Sequence, residues 1–419
     1  MKIAFVVQPF DGIIPPFQNS IGLIIYNSAR ILAEKATITV YYPRKRKEHI
    51  LQKLDGVLYR PIPIDFDRRL LEVVERVPGV FDHGKLFASW IYYPGYISRI
   101  AWDARRRDFD IMHIVNFSQF APLVKRLNPR TRIVLEMQCE WLTQLNPSTI
   151  KKRLSSVDMV TGSSNHISSS VQTKFPELSI PCRTAYNGVD PARFQRETDN
   201  GGNTSQKSKT LLFVGRVSPE KGVHVLIDAM TEVVKQVPDA HLLIVGPRGQ
   251  LPLEYIVGLT DEEELKNLSV FYDGTLSHNY QDYLEKRVDE LGIRKNVEFT
   301  GGMTQEELVQ LYHRARLLVN PSYSESFGMS LVEGMAVGLP VVATRVGGMK
   351  EIVDPGKTGF LVEMGSAFEL GEALLRLLTD DQLCEAMGAN GYQRALQQFS
   401  WQRRARDLWD YYESLVSKG

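Results

Sequence analysis

Apolar and polar positions along this chain follow two periods, and the switch from one to the other recurs throughout its length. Residues 3–7 form a continuous apolar run, the pattern of a parallel strand buried on both faces. The loop over 8–20 contains Asp11-Gly12 and Pro15-Pro16, which exclude regular structure. Helical spacing then predicts a helix over 21–33, followed by strands at 37–42 and 57–59. The stretch 65–107 is weakly patterned, aromatic and basic, and reads as helix with loops. Further strands are expected at 110–115, 132–137 and 158–162, each leading through a polar loop into a helix.

A polar run bearing Gly and Ser at 199–209 interrupts the pattern. The alternation then restarts, with strands expected at 210–214, 241–245, 297–300, 317–320 and 341–344. Helices are expected at 222–237, 280–291, 305–314, 327–337 and 400–416, and 247–279 reads as irregular and partly acidic. This β-then-α order predicts an α/β protein of two doubly wound, Rossmann-like domains facing each other across a cleft. The first domain is expected at 1–187, a linker at 188–209 and the second domain at 210–399.

Composition narrows the class. At 419 residues the chain exceeds one compact core, in line with two domains. It is 43% hydrophobic and 24% charged, with no apolar run long enough to span a bilayer. The N-terminus lacks the long apolar region of a signal peptide, and Cys139, Cys182 and Cys384 show no metal spacing. A cytoplasmic protein is expected. The net charge of +1 hides an asymmetry: residues 1–208 carry 29 Lys and Arg against 19 Asp and Glu, and the remainder 21 against 30. Basic groups at 44–47, 105–107 and 151–153, with Trp90, Tyr92, Tyr93, Tyr96 and Trp102, suit solvated helix ends and a core. They also suit peripheral contact with an anionic membrane at its inner face. No motif supports nucleic-acid binding, and an oligomer stays open.

The richest chemistry lies in Asn320–Gly348. A strand ends there in a loop of small and polar residues that opens a helix, presenting backbone N–H groups and a positive helix end suited to phosphate. Glu325 precedes that helix and Glu333 lies two turns inside it. Carboxylates repel phosphate but accept hydroxyls, so the pattern points to a ligand that is part diphosphate and part polyol. Glu333 sits among apolar residues and needs a partner, for which a ribose diol is one candidate. Upstream, Gly215-Arg216-Val-Ser-Pro-Glu-Lys221-Gly222 follows a strand and opens a helix. An isolated Arg and Lys would read as solvated charges; in a strand-to-helix turn both can reach one phosphate site.

These residues resemble family 4 of the retaining glycosyltransferases. The match is carried by Gly-Arg-x4-Lys-Gly, by Glu-Ser-Phe-Gly-Met-Ser-Leu-Val-Glu, and by Pro-Val-Val-Ala-Thr-x-x-Gly-Gly-x-x-Glu351. Asn187-Gly-Val-Asp190 resembles that family's interdomain junction, and Phe399-Ser-Trp401 the start of its last helix. The resemblance implies the GT-B fold, with 400–419 crossing back to the N-terminal domain. It implies that Arg216, Lys221 and Glu325 carry the chemistry, the first two on the donor diphosphate and Glu325 on the transferred sugar. Gly215, Ser326, Phe327, Gly328, Met329, Ser330 and Leu331 would bound the donor, and Glu333 its ribose. Gly246, Gly301 and Met303 would lie near the base, and Gly12 would approach phosphate from the first loop. No cofactor or bound metal is implied. The donor expected is a nucleoside-diphosphate sugar, UDP ranked before GDP.

The acceptor half departs from the family. Gln138 stands where a histidine is common, and Asn19, Ser20, Gln138 and Glu140 are the acceptor-side candidates. His113 reads as a packed strand-end residue. The expected activity is transfer of a sugar, with retention, to a hydroxyl of a lipid, polysaccharide precursor or small metabolite. A GT-B phosphorylase or epimerase and a non-catalytic nucleotide-sugar-binding module remain alternatives. A dehydrogenase ranks low because no Gly-x-Gly-x-x-Gly follows a strand.

Overall fold

A computed structural model describes residues 1–15, 18–44, 52–76, 85–190, 192–194, 209–274, 276–277 and 279–417. The polar run at 199–209, apart from Lys209, and residues 45–47 of the first basic group lie outside these. The chain divides into two compact units, Met1–Gly188 with Trp401–Gly419, and Val189–Ser400.

In the first unit the strands are β1 Lys2–Val6, β2 Thr37–Pro43, β3 Gln52–Leu54, β4 Val57–Ile62, β5 Ile111–Val115, β6 Arg132–Met137, β7 Met159–Gly162 and β8 Cys182–Thr184. They form one sheet in the order β3-β4-β2-β1-β5-β6-β7-β8. Every neighbouring pair is parallel except β3 and β4. The pattern of apolar residues does not predict β3 or β8: each has three residues and none that is fully buried. The central strands are buried on both faces, Ile3 through Val6 having no exposed surface. Asn19 caps the Ser20–Leu32 helix, its side chain accepting from Gly22 N at 2.8 Å.

The last helix, Trp401–Val416, packs against Ser20–Leu32 and inserts a fully buried arginine into the first unit. Arg404 donates to Ser28 Oγ at 2.9 Å, to the Ala185 carbonyl and to Glu136 Oε2 at 2.6 Å. The same carboxylate pairs with His113 Nε2 at 2.7 Å, and the other ring nitrogen of His113 meets the Tyr412 hydroxyl at 2.7 Å. Burial raises the Glu136 carboxyl, but Arg404 and then His113 overcome it and hold the group down at about 2. His113 is therefore a packed strand residue, as its sequence context indicates.

The second unit holds β9 Thr210–Val214, β10 His241–Val245, β11 Val297–Gly301, β12 Leu317–Asn320, β13 Val341–Thr344 and β14 Gly359–Val362. They form an all-parallel sheet in the order β11-β10-β9-β12-β13-β14. Strand order reverses between β9 and β12, the place where ligands bind at the carboxyl ends of such sheets. The helix expected over 327–337 is found at Met329–Ala336, because Gly328 adopts φ 112° and leaves the helical region before it. The irregular stretch before the Tyr280–Glu290 helix is anchored by Phe271, whose ring lies 4.9 Å from His224, 5.0 Å from Tyr280 and 5.1 Å from Tyr283. Among the described residues no helix is long and apolar enough to cross a membrane.

Candidate functional site

The loop after β9 and the loop after β12 are stitched together over the β9/β12 switch point. Tyr323 N donates to the Glu220 carbonyl at 2.8 Å. Gly222 has φ 68°, and a Cβ there would stand 2.0 Å from the Pro321 carbonyl oxygen, so only glycine permits this contact. The loop after β13 closes onto the same place. Gly348 N donates to the Glu325 carbonyl at 3.0 Å. A Cβ on Gly347, at φ 47°, would fall 1.9 Å from that oxygen. The loops after three neighbouring strands, β9, β12 and β13, thus converge around Glu325.

The side chains converge too. Lys221 Nζ donates to Glu325 Oε2 at 2.8 Å, tying the two loops across 104 residues of sequence. Burial works to lower the Lys221 ammonium, but Glu325 and Glu220 raise it above its ordinary value, so the cation is held. Arg216 is exposed, and its charge opposes that of Lys221. It has no ion pair among the described residues. Phe327 is buried behind the loop, Gly328 caps the Met329–Ala336 helix, and Ser330 and Leu331 lie in its first turn. Leu331 N donates to the Gly328 carbonyl at 3.0 Å, whereas the first two amides of the helix, Met329 N and Ser330 N, have no intrahelical acceptor. Together the loops offer one exposed guanidinium, one held ammonium and a positive helix end, with carboxylates at two points beside them.

Glu333, which the sequence leaves in need of a partner, has one within the protein. It is 6% exposed, and its Oε2 accepts from the Tyr312 hydroxyl at 2.7 Å. Burial pushes its carboxyl up to about 7, against the Tyr312 bond and the charge of Arg193. Tyr312 was not legible as that partner, because it lies 21 residues away on another helix.

The remaining donor candidates border the same sheet edge. Gly215 N donates to the Val245 carbonyl at 2.9 Å and Gly246 N to the Gly301 carbonyl at 2.9 Å, so the loops after β9, β10 and β11 form one continuous rim. Met303 stands exposed on it, and Ser326 and Met329 are half-buried between Glu325 and the helix.

In the first unit the acceptor-side candidates also share the carboxyl edge of their sheet, but several are committed to internal bonds. The Asn19 side chain caps its helix and donates to Asp11 Oδ1 at 2.8 Å, and Asn19 N donates to the Gly12 carbonyl at 3.3 Å. Ser20 is exposed at the first helical position. Burial pushes the Asp11 carboxyl up to about 6 against hydrogen bonds from Asn19 and Gln8. Gln138 has a partner for each of its N–H groups. It exchanges two bonds with Asn187, at 2.8 and 3.1 Å, donates to Glu136, and its N–H donates to Asn116 Oδ1 at 2.7 Å. Glu140 Oε1 meets His166 Nε2 at 2.6 Å. His166 carries no local sequence signal, because its partner lies 26 residues away.

Residues 194–394, nearly the whole of the second unit, match the family described as glycosyl transferases group 1. Spore coat protein SA of Bacillus subtilis (strain 168) is 23% identical across 99% of both chains. The D-inositol 3-phosphate glycosyltransferase of Corynebacterium jeikeium (strain K411) is 34% identical over 55% of this chain, which spans about half of that protein (51%). Among solved structures, sucrose-phosphate synthase from Thermosynechococcus elongatus superposes with a TM-score of 0.75 at 18% identity, covering 100% of both chains. Anabaena HepE in complex with UDP-glucose superposes with a TM-score of 0.65 at 20% identity, covering 99% of this chain and all of that one. These likenesses establish the fold as the two-domain GT-B arrangement of parallel-sheet units.

Proposed function

We propose that this chain is a retaining glycosyltransferase that moves a sugar from a nucleoside diphosphate, UDP before GDP, to a hydroxyl acceptor held by its N-terminal unit. The observation that carries this reading is the convergence of Arg216, Lys221 and Glu325 at the β9/β12 switch point, beside the start of the Met329–Ala336 helix. Arg216 and Lys221 take the diphosphate, with the opening amides of that helix. Glu325 accepts from hydroxyls of the transferred sugar, and Glu333 from the ribose.

The main catalytic contribution is electrostatic. As the bond from the anomeric carbon to the phosphate oxygen lengthens, negative charge grows on the leaving diphosphate, where the two cations and the helix end already stand. The acceptor hydroxyl attacks from the face that the diphosphate leaves, and the departing phosphate oxygen takes its proton. The cations and the helix end supply the neutralisation that a divalent metal gives elsewhere, so no bound metal is required.

Relatives support the class: the Corynebacterium proteins are glycosyltransferases by name, and HepE binds UDP-glucose. The protein would act in the cytoplasm, in peripheral contact with anionic membrane. Exposed Trp90 and Trp102, at 76% and 54%, favour that contact on the N-terminal unit, with Arg105 stacked over Trp102 at 5.8 Å. Calorimetric titration with UDP, GDP, ADP and dTDP tests the donor assignment. UDP should bind most tightly to the wild type and at least about tenfold more weakly to Arg216→Ala, a charged hydrogen bond being lost. Equal binding of all four to both proteins would refute it.

A further inference from the structure

The carboxyl edge of the first sheet collects an aromatic surface and one carboxylate that the donor chemistry leaves unused. Phe10 follows β1, Phe117 follows β5 and Trp141 follows β6, so three loops at one edge each deliver a ring. Buried Phe117 is the hub. Its ring lies 5.8 Å from Trp141, 5.6 Å from Tyr92 and 6.1 Å edge-on from Phe10, and Phe87 backs Trp141 at 4.7 Å. Phe10 keeps 51% of its surface exposed on this cluster. Phe10 meets Phe117 at 89° and leaves half of its own surface free for an apolar face.

Glu140 adjoins Trp141 in the chain and is held in place from several sides. Its Oε1 meets His166 Nε2 at 2.6 Å, its Oε2 accepts from Gln144 Nε2 at 3.1 Å, and its carbonyl accepts from Thr143 N and Oγ1, both at 2.9 Å. The side chain is nonetheless 27% exposed. A carboxylate has about four acceptor positions and His166 and Gln144 take one on each oxygen, leaving one apiece for O–H donors. Two acceptors on one rigid, planar group match two adjacent hydroxyls.

A fixed carboxylate beside an open aromatic platform is the chemistry that recognises a saccharide: hydroxyls go to the carboxylate, and the C–H face lies on the rings. A phosphate would be repelled by Glu140, and an alkyl chain would leave its acceptors unmet. We infer that Glu140, Trp141 and Phe10 bind the acceptor, that this acceptor is a sugar with a vicinal diol, and that His166 and Gln144 are positioning residues for Glu140. This inference rests on the glycosyltransferase reading above and fixes its acceptor class.

The test uses the full chain saturated with UDP, titrated with D-glucose, D-mannose and maltose, with 1-butanol as the apolar control. Binding is followed by tryptophan fluorescence. At least one sugar should give a saturable change that the alcohol does not. Glu140→Ala and Phe10→Ala should each weaken it about tenfold or more, with UDP affinity unchanged. His166→Gln, which keeps a donor, should stay within about threefold of the wild type, whereas His166→Ala should match Glu140→Ala. Loss of a merely structural contact would instead lower the melting temperature of both His166 variants and spare sugar affinity. If no sugar binds the wild type, or if Glu140→Ala and Phe10→Ala bind sugar unchanged, the inference is overturned. Phe10→Ala alters an exposed ring and remains informative if Glu140→Ala does not fold. Should UDP fail to bind, the donor assignment falls on its own, and the sugar titration without UDP still judges this corner.

Discussion

Lys221 Nζ and Glu325 Oε2 lie 2.8 Å apart, on loops that leave neighbouring strands and meet over the strand-order reversal of the second sheet. The pair gives the two residues separable roles toward a donor. Lys221→Ala removes a charge from the leaving diphosphate and should lower both UDP affinity and turnover, the latter about 10²- to 10³-fold. Glu325→Ala removes a contact to the sugar and also releases Lys221 from its ion pair, leaving that cation free for the diphosphate. It should leave UDP affinity unchanged or slightly tighter while raising KM for the intact donor. Calorimetry with UDP alongside steady-state kinetics separates the two; parallel losses in both variants would contradict these roles.

Glu333 makes the second unit sensitive to pH. Its folded carboxyl titrates at about 7 against an ordinary 4.5. The protonated form is favoured by folding, so this contribution is fully present below pH 4.5 and is lost as pH rises through about 7. The loss is on the order of 3 kcal/mol. Denaturant unfolding of Glu333→Gln should show a flatter pH dependence than the wild type between pH 5 and 8. Donor KM should fall over the same window in the wild type, because the ionised carboxylate accepts from a ribose diol better than the acid. In Glu333→Gln that trend should vanish.

The opposite sign holds at Glu136. Arg404 and His113 hold its folded carboxyl at about 2, so their stabilisation is present above pH 4.5 and disappears as pH falls toward 2. Arg404→Met leaves that carboxylate buried without its cation. A stability loss of about 3–5 kcal/mol is expected at pH 7, shrinking on acidification. Chemical denaturation at pH 7 and pH 4 reads the difference.

The exposed tryptophans give a further test. Wild-type protein should co-sediment with vesicles containing phosphatidylserine and release as salt screens the arginines. Trp90→Ser with Trp102→Ser should sediment less. Sedimentation that ignores both lipid charge and these residues would remove the membrane from the proposal.

The loop cluster that brings Lys221 and Glu325 together was largely legible in the sequence because its signals are local. Gly215 to Gly222 and Glu325 to Glu333 each lie in one strand-to-helix connection, where backbone conformation and chemistry share a few residues. What was not legible depends on long-range contact. Arg404 finds Glu136 across 268 residues, and Tyr312 finds Glu333 on a different helix. The aromatic run near residue 90 shows the same limit: Tyr93 and Tyr96 enter the core while Trp90 and Trp102 face solvent. Composition alone cannot separate them: Trp90 and Tyr93 precede the Pro94–Arg107 helix, and only Tyr96 and Trp102 are sorted by its faces. The start of the helix at Met329 instead of Phe327 follows from the single backbone angle at Gly328.

The most direct measurement is nucleotide release from UDP-, GDP-, ADP- and dTDP-sugars by the full chain in the presence of EDTA, with and without sugar acceptors. One UDP-sugar should be turned over, faster with an acceptor, with the product anomer matching that of the donor, and Lys221→Ala should abolish most of the rate. Cleavage of no nucleotide-sugar, or cleavage indifferent to Lys221 and Glu325, would contradict a glycosyl-transfer site at the β9/β12 switch.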